Sequence, residues 1–158
     1  MMKALKLKRR QAGTEIVEFA IILPLLLLVM FGVMEFGLVL YDKALITNAS
    51  REAARSGIAY KCPALTTQQI TDVVTHYTED TGGHSFLVSF GSSATPVVTV
   101  TPTPPATTIN CGANLSAPLT VTVTYSYTFL VFGNLISLFA SDFTNPINLS
   151  ATTVMYYE

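Results

Sequence analysis

The stretch RRQAGTEIVEFAIILPLLLLVMFGVME, residues 9–35, decides how the rest of the chain folds. It passes from a basic cluster through a glycine and two acids into a long apolar run. Phe19 to Leu40 is apolar apart from Glu35, which matches the roughly 20 residues a helix needs to cross a bilayer. Lys3, Lys6, Lys8, Arg9 and Arg10 all precede that run, and the remainder holds four basic residues against ten acidic ones. A basic flank stays on the cytoplasmic side. The asymmetry therefore predicts a single-pass protein with its N-terminus in the cytoplasm and everything after Leu40 on the far side of the membrane. An ordinary secretory signal does not fit. Glu15 and Glu18 interrupt the approach to the apolar run, the run exceeds the usual length of about 7–15 residues, and no small-residue cleavage site follows it. Nor does the basic cluster suggest nucleic acid as a partner, because it abuts a hydrophobic span and has no aromatic or glycine-rich companion.

Glu18 stands one residue before the apolar run, where a carboxylate is costly unless something pairs with it. Hydrolysis after Gly13 would free an amine on Thr14, and the amine of one copy could then neutralise Glu18 of its neighbour. Gly13, Thr14, Glu15, Ile16, Val17, Glu18 and Phe19 resemble a class IV prepilin site. In that family the peptidase cuts after the glycine, the fifth mature residue is Glu, and an aromatic follows it. EFAIILPLLLLVMFGVMEFG (18–37) with NASREAARSG (48–57) is similar to TadE-like proteins, the pseudopilins of tight-adherence (Flp) pilus systems. So is the far end, VTVTYSYTFLVFGNLISLFA (121–140) through LSATTVMYYE (149–158). These stretches cover roughly the first third and last quarter of the chain, and the middle carries no such match. The resemblance implies a leader at 1–13 removed by a prepilin peptidase, a long helix at 14–57 and an exported domain at 58–158. It implies a minor pseudopilin that takes part in assembling an adhesion pilus. Its expected partners are the peptidase, other pilins or pseudopilins, the inner-membrane assembly platform and the lipid bilayer, with no cofactor.

Length and composition agree with an anchored protein. A membrane helix and its continuation leave about 100 of the 158 residues, enough for one modest core. Half the residues are hydrophobic and 12% are charged, against about 25% charged in soluble domains. Cys62 and Cys111 both fall on the exported side, where oxidising chemistry favours a disulfide. Closing that loop would stabilise the fold by about 4 kcal/mol through the unfolded state. A metal or reactive thiol is the competing reading, but neither cysteine has a nearby histidine or CxxC spacing.

From Thr14 to Gly57 only Pro24 interrupts the helical pattern, so one helix of about 65 Å is expected. Pro24 removes one backbone hydrogen bond, either as a tolerated membrane kink or as a point that loosens when the helix leaves lipid for a filament. Glu35 lies about 25 Å along the axis from Glu18. It reads as a marker of the second membrane face or as a contact with another subunit's helix. Beyond the span, Leu45, Ile46, Ala49 and Ala53 recur on one side and predict a thin face packed on a domain, with Gly57 as C-cap. A second helix starts with Thr66 as cap, Gln69 reaching back and Leu65 stapling onto Ile70. Its apolar stripe is Ile70, Val73, Val74 and Tyr77, and Gly82 with Gly83 ends it. Strands are expected at Ser85 to Phe90, Pro96 to Thr101, Leu119 to Leu130 and Asn148 to Tyr157. In the third, Val121, Val123, Tyr125, Tyr127 and Phe129 share one face. The fold class is therefore α+β: a long pilin-like transmembrane helix packed on a small antiparallel sheet, with one extra short helix. TPTPPATT, residues 101–108, reads as a proline-stiffened exposed loop, a candidate for O-linked sugar. Phe129 to Ala140 is more apolar than a connection needs, and either folds over the core or meets a partner.

No GxSxG, HExxH, Walker or GxGxxG pattern occurs. The best catalytic or metal candidate is His76, Glu79, Asp80 and His84, around a helix end and a Gly-Gly turn. Polar residues at such an end are more often solvated, and no enzyme is expected. Two alternatives to the pseudopilin reading stay open: an uncleaved membrane-anchored assembly factor, and a membrane-tethered ligand-binding domain.

Overall fold

A computed structural model describes residues 4–59, 65–91, 95–101, 118–131, 133 and 145–156, with side chains from Gly13 onward. Its element order is α1 (Ala4–Ile58), α2 (Thr67–Thr78), β1 (Val97–Thr101), β2 (Leu119–Tyr127) and β3 (Ile147–Met155). This is the expected α+β architecture. α1 starts ten residues before Thr14, because nothing in the basic leader breaks a helix. It also runs through Pro24 without interruption.

The three strands form one antiparallel sheet in the order β1-β2-β3. Strict alternation of Val and Tyr with Thr and Ser in β2 puts one set wholly inward. Leu119, Val121, Val123, Tyr125 and Tyr127 are all buried. Register carries this inward set across the sheet: Val100 lies opposite Val121, Val98 and Ala151 flank Val123, and Leu149 and Ile147 face Tyr125 and Tyr127. A one-residue slip would turn each of these to water, so burial fixes the pairing. On the outer face Thr99, Thr122 and Thr152 form a row across all three strands, and the Thr122 and Thr152 hydroxyls lie 3.0 Å apart.

The upper half of α1 lies on the inner face. Ile46, Ala49, Ala53 and Ala54 are fully buried against the sheet and α2, with Leu45 packed alongside. Small side chains there let the helix axis approach the strands closely. Ser50 Oγ and Thr153 Oγ1 sit 2.8 Å apart across this seam, and the Lys43 ammonium donates to the Ser150 carbonyl. α2 is started by the expected capping box: Gln69 N–H donates to Thr66 Oγ1, and Thr66 N–H donates to Gln69 Oε1 at 2.9 Å.

Two details of the sequence reading are corrected. Ser85–Phe90 is not a strand but a series of bends with one isolated bridge, Glu79 to Ser85. Its amides are shared between side chains and isolated main-chain carbonyls, those of Thr78 and Thr128, and make no continuous ladder with a neighbouring strand. Leu87 N–H donates to Ser85 Oγ at 3.1 Å, and Val88 N–H donates to Asp42 Oδ1 at 3.0 Å. On α2 the stripe turns toward Thr78, which is fully buried with its hydroxyl on the Val74 carbonyl, while Tyr77 is exposed. Cys62, Cys111 and residues 102–108 lie outside the described residues.

Gly57 is buried where α1 meets both other layers, and a Cβ there would strike Leu119 Cδ2 and approach Ile70 Cδ1 at 3.1 Å. Gly57→Val should therefore overpack the junction and destabilise the domain by about 1–3 kcal/mol. Thermal unfolding of the full chain in detergent, followed by tyrosine near-UV dichroism, should show the midpoint fall.

Candidate functional site

α1 carries two different surfaces on one rod. No described residue from Gly13 to Met34 is buried, and Ile16, Ile21, Leu25 and Val33 are among the apolar side chains left open. The helix is long and apolar enough to cross a membrane, and none of its most apolar window is covered by the rest of the chain. One N-terminal helix of this kind fits a single-pass membrane protein. Gly13, Thr14, Glu18, Phe19 and Pro24 all lie on this exposed part. The Gly13–Thr14 bond is inside the continuous helix.

Burial begins at Glu35, which is 3% exposed. Its Oε1 accepts the Leu130 N–H at 2.7 Å and the Val131 N–H at 2.6 Å. The sequence offered a marker of the membrane face or a contact with another subunit, and included neither this bond nor this partner. Glu35 binds the domain of its own chain. One heptad further on, Asp42 is fully buried and its Oδ1 accepts the Val88 N–H at 3.0 Å. Residues seven apart share a helix face, so the two carboxylates form a pair of latches. They grip the chain leaving β2 and the bends before β1.

Between them lies an aromatic wall. Tyr127 is fully buried and meets the Phe129 ring edge-on, with centroids 5.1 Å apart. Two supports shape the loop that Glu35 holds. Asn145 Oδ1 accepts the Phe129 N–H at 3.1 Å, and Ser89 Oγ accepts the Thr128 N–H at 3.0 Å. Among the described residues, Asp42 Oδ2 and the Tyr127 hydroxyl are buried without a hydrogen-bond partner. Such groups resist ionising. Burial pushes the Asp42 carboxyl up to about 6 against the opposing Val88 N–H. Burial first, then the charges of Glu35 and Asp42, pushes the Tyr127 phenol up to about 12.

The histidine cluster resolves into turn chemistry. Asp80 Oδ1 accepts the Gly82 and His84 N–H groups, each at 2.8 Å, and the His84 ring Nδ1 lies 3.2 Å from the same carboxylate. Gly83 takes φ +76°, which its missing Cβ permits. These bonds, led by the His84 N–H, hold the Asp80 carboxyl below its ordinary range. His76 instead faces a groove with Glu52, Asp72 and Tyr77. Among the described residues no group of three or more His, Cys, Asp or Glu side chains is arranged to hold a metal ion.

Sequence reasoning passed over Asp42 and the amides of Val88, Leu130 and Val131. A signal for the acids was present. Glu35 and Asp42 are in phase with Ile46, Ala49 and Ala53, so a helical projection places both on the stripe that packs against the domain. The amides had none, because main-chain donors in a loop leave no trace in residue type.

The buried Asp42 makes stability pH-dependent. Its carboxyl is protonated in both states below about pH 4 and ionised in both above about pH 6. In between, the folded form alone keeps the proton, so stability falls as pH rises. The displacement from 3.8 to about 6 sets an upper bound of about 3 kcal/mol on the decline, which solvent screening reduces. Denaturant titration across that window should show the decline, and Asp42→Asn should flatten it. Glu35→Ala should take the acceptor from two part-buried N–H groups and destabilise the contact by at most about 1–3 kcal/mol each. Hydrogen exchange should then accelerate at Leu130 and Val131 while β2 stays protected.

No curated protein and no solved structure matches the chain. The family model described as TadE-like protein matches residues 13–55, the segment that holds the exposed apolar helix and both latches. Over this helix, about a quarter of the chain, the sequence is similar to TadE-like proteins.

Proposed function

We propose that the protein is a minor pseudopilin, processed by a prepilin peptidase after Gly13 and then drawn into assembly of a Tad-type adhesion pilus. The observation that carries this reading is the division of α1. Its TadE-like first half stands clear of the domain and from Phe19 to Met34 presents apolar side chains suited to lipid or to other helices, while among the described residues the domain is latched to the second half. A subunit of this shape exchanges lipid for neighbouring helices without disturbing its own core. In the membrane the basic leader holds the N-terminus on the cytoplasmic side of the inner membrane, and the domain lies outside.

Removal of residues 1–13 leaves the Thr14 amine four residues from Glu18, about one helical turn. Within one chain that separation is already short. Between chains staggered by a turn, the amine of one meets the carboxylate of the next, and the cost of a charge beside hydrocarbon is offset on both sides. The partners are then the peptidase, other pilins or pseudopilins and the assembly platform. The protein's role is structural, with no reaction of its own.

One observation favours a second reading, an anchored assembly factor that is never cleaved. The Gly13–Thr14 bond lies within α-helical backbone, which must open before a protease can reach it. Intact-mass measurement of protein from cells with the peptidase separates the two: the mature form begins at Thr14, the anchored form keeps its leader. Glu18→Ala should leave cleavage unchanged and abolish recovery of the subunit in sheared pili. Unchanged incorporation would remove the role assigned to Glu18.

A further inference from the structure

The packing of the domain on α1 supplies a scale of height. Glu35 is level with Leu130 and Val131, whose amides it accepts, and Gly57 is level with Leu119, which a Cβ there would strike. The helix from Glu35 to Gly57 is about 33 Å long, and the extended chain from Leu119 to Leu130 is about 36 Å. β2 therefore runs down alongside the upper half of α1, and its exit loop lies at the lower end, level with Glu35.

That low end meets the place where a membrane would stop. About 20 residues cross the hydrocarbon. Counted from Thr14, the far boundary falls near Met34; counted from Glu18, it falls near Leu38. In either case Leu130 stands at the boundary. Phe90 rides slightly higher, since its N–H donates to the Thr128 carbonyl at 3.2 Å, two residues or about 7 Å above Leu130. The headgroup layer is about that deep. Both residues are exposed, Leu130 by 49% and Phe90 by 43%. On the helix beside them Phe36 and Leu40 are exposed as well. Residues 36–41, 86–91 and 128–131 contain no charged side chain.

We propose that in the membrane-resident protein the domain rests directly on the outer leaflet, with Leu130 and Phe90 seated between acyl chains and headgroups. The occupant is lipid because this uncharged, apolar rim is continuous with the exposed apolar face of the span. Aromatic and aliphatic side chains of this kind are stabilised at the interface. Glu35, at the same depth, is kept from lipid by the two amides of the Leu130 loop.

The proposal rests on α1 crossing the membrane, and a single experiment reads the two separately. The chain contains no tryptophan, so each introduced one reports alone. Full-length Phe31→Trp, Leu130→Trp, Phe90→Trp and Tyr156→Trp proteins are placed in phosphatidylcholine vesicles with or without bromine near the top of the acyl chains. Phe31 lies within the span. Tyr156 follows Met155, which pairs with Leu119 at the far end. All four positions are exposed, so the substitutions leave the core untouched. Expected are blue-shifted emission and roughly twofold quenching at positions 31, 130 and 90, with neither at 156. Quenching at position 31 with none at 130 and 90 overturns the docking and leaves the span intact. A blue-shifted but unquenched signal at 130 and 90 means protein covers the rim and overturns it equally. An unquenched position 31 overturns both.

Discussion

Two carboxylates on one helix face, each closed over a main-chain amide of the domain, set how the whole molecule is assembled. Glu35 takes the amides of Leu130 and Val131, and Asp42 takes that of Val88. Hydrophobic contact alone would tolerate sliding of α1 over the sheet, since alanines offer few features to lock against. Directional bonds at fixed positions remove that freedom. They set the height of β2 along the helix and thereby which part of α1 the domain covers and which part it leaves bare.

That division has an electrostatic cost that the fold accepts. Asp42 sits among the buried tyrosines with one oxygen unpartnered, and its ionisation is opposed by burial. An asparagine or an apolar residue would avoid this. A charged acceptor, however, binds an amide more strongly than a neutral one does, and an acid protruding from a bare helix remains soluble in the unfolded chain. The latch at Glu35 follows the same logic at the level where the bare apolar part of the helix begins, and there an acceptor without donors would be most expensive.

Much of the architecture was readable from residue order. The span, the thin alanine face, the capping box at Thr66 and the alternation in β2 all rest on local periodicity, and each is found where that periodicity puts it. What was not readable depends on distant partners. Ser85–Phe90 has the composition of a strand, yet the Leu87 and Val88 amides go to Ser85 and Asp42, and no pattern within those six residues announces an acceptor on a helix more than forty residues away. Glu35 looked like a boundary marker for the same reason. The prepilin-like stretch from Gly13 to Phe19 was legible by resemblance, and the family match to residues 13–55 covers it together with both acids.

The latches read backbone and not side chains, and this distributes mutational tolerance unevenly. Any residue except proline presents the same N–H at positions 88, 130 and 131, so the helix keeps its hold whichever side chain stands there. Positions 35 and 42 have less latitude, because each contact needs a side-chain oxygen in that place to accept the amide. Divergence can thus rework the tips of the domain and the surface they offer, through loops that change their sequence without changing their seat.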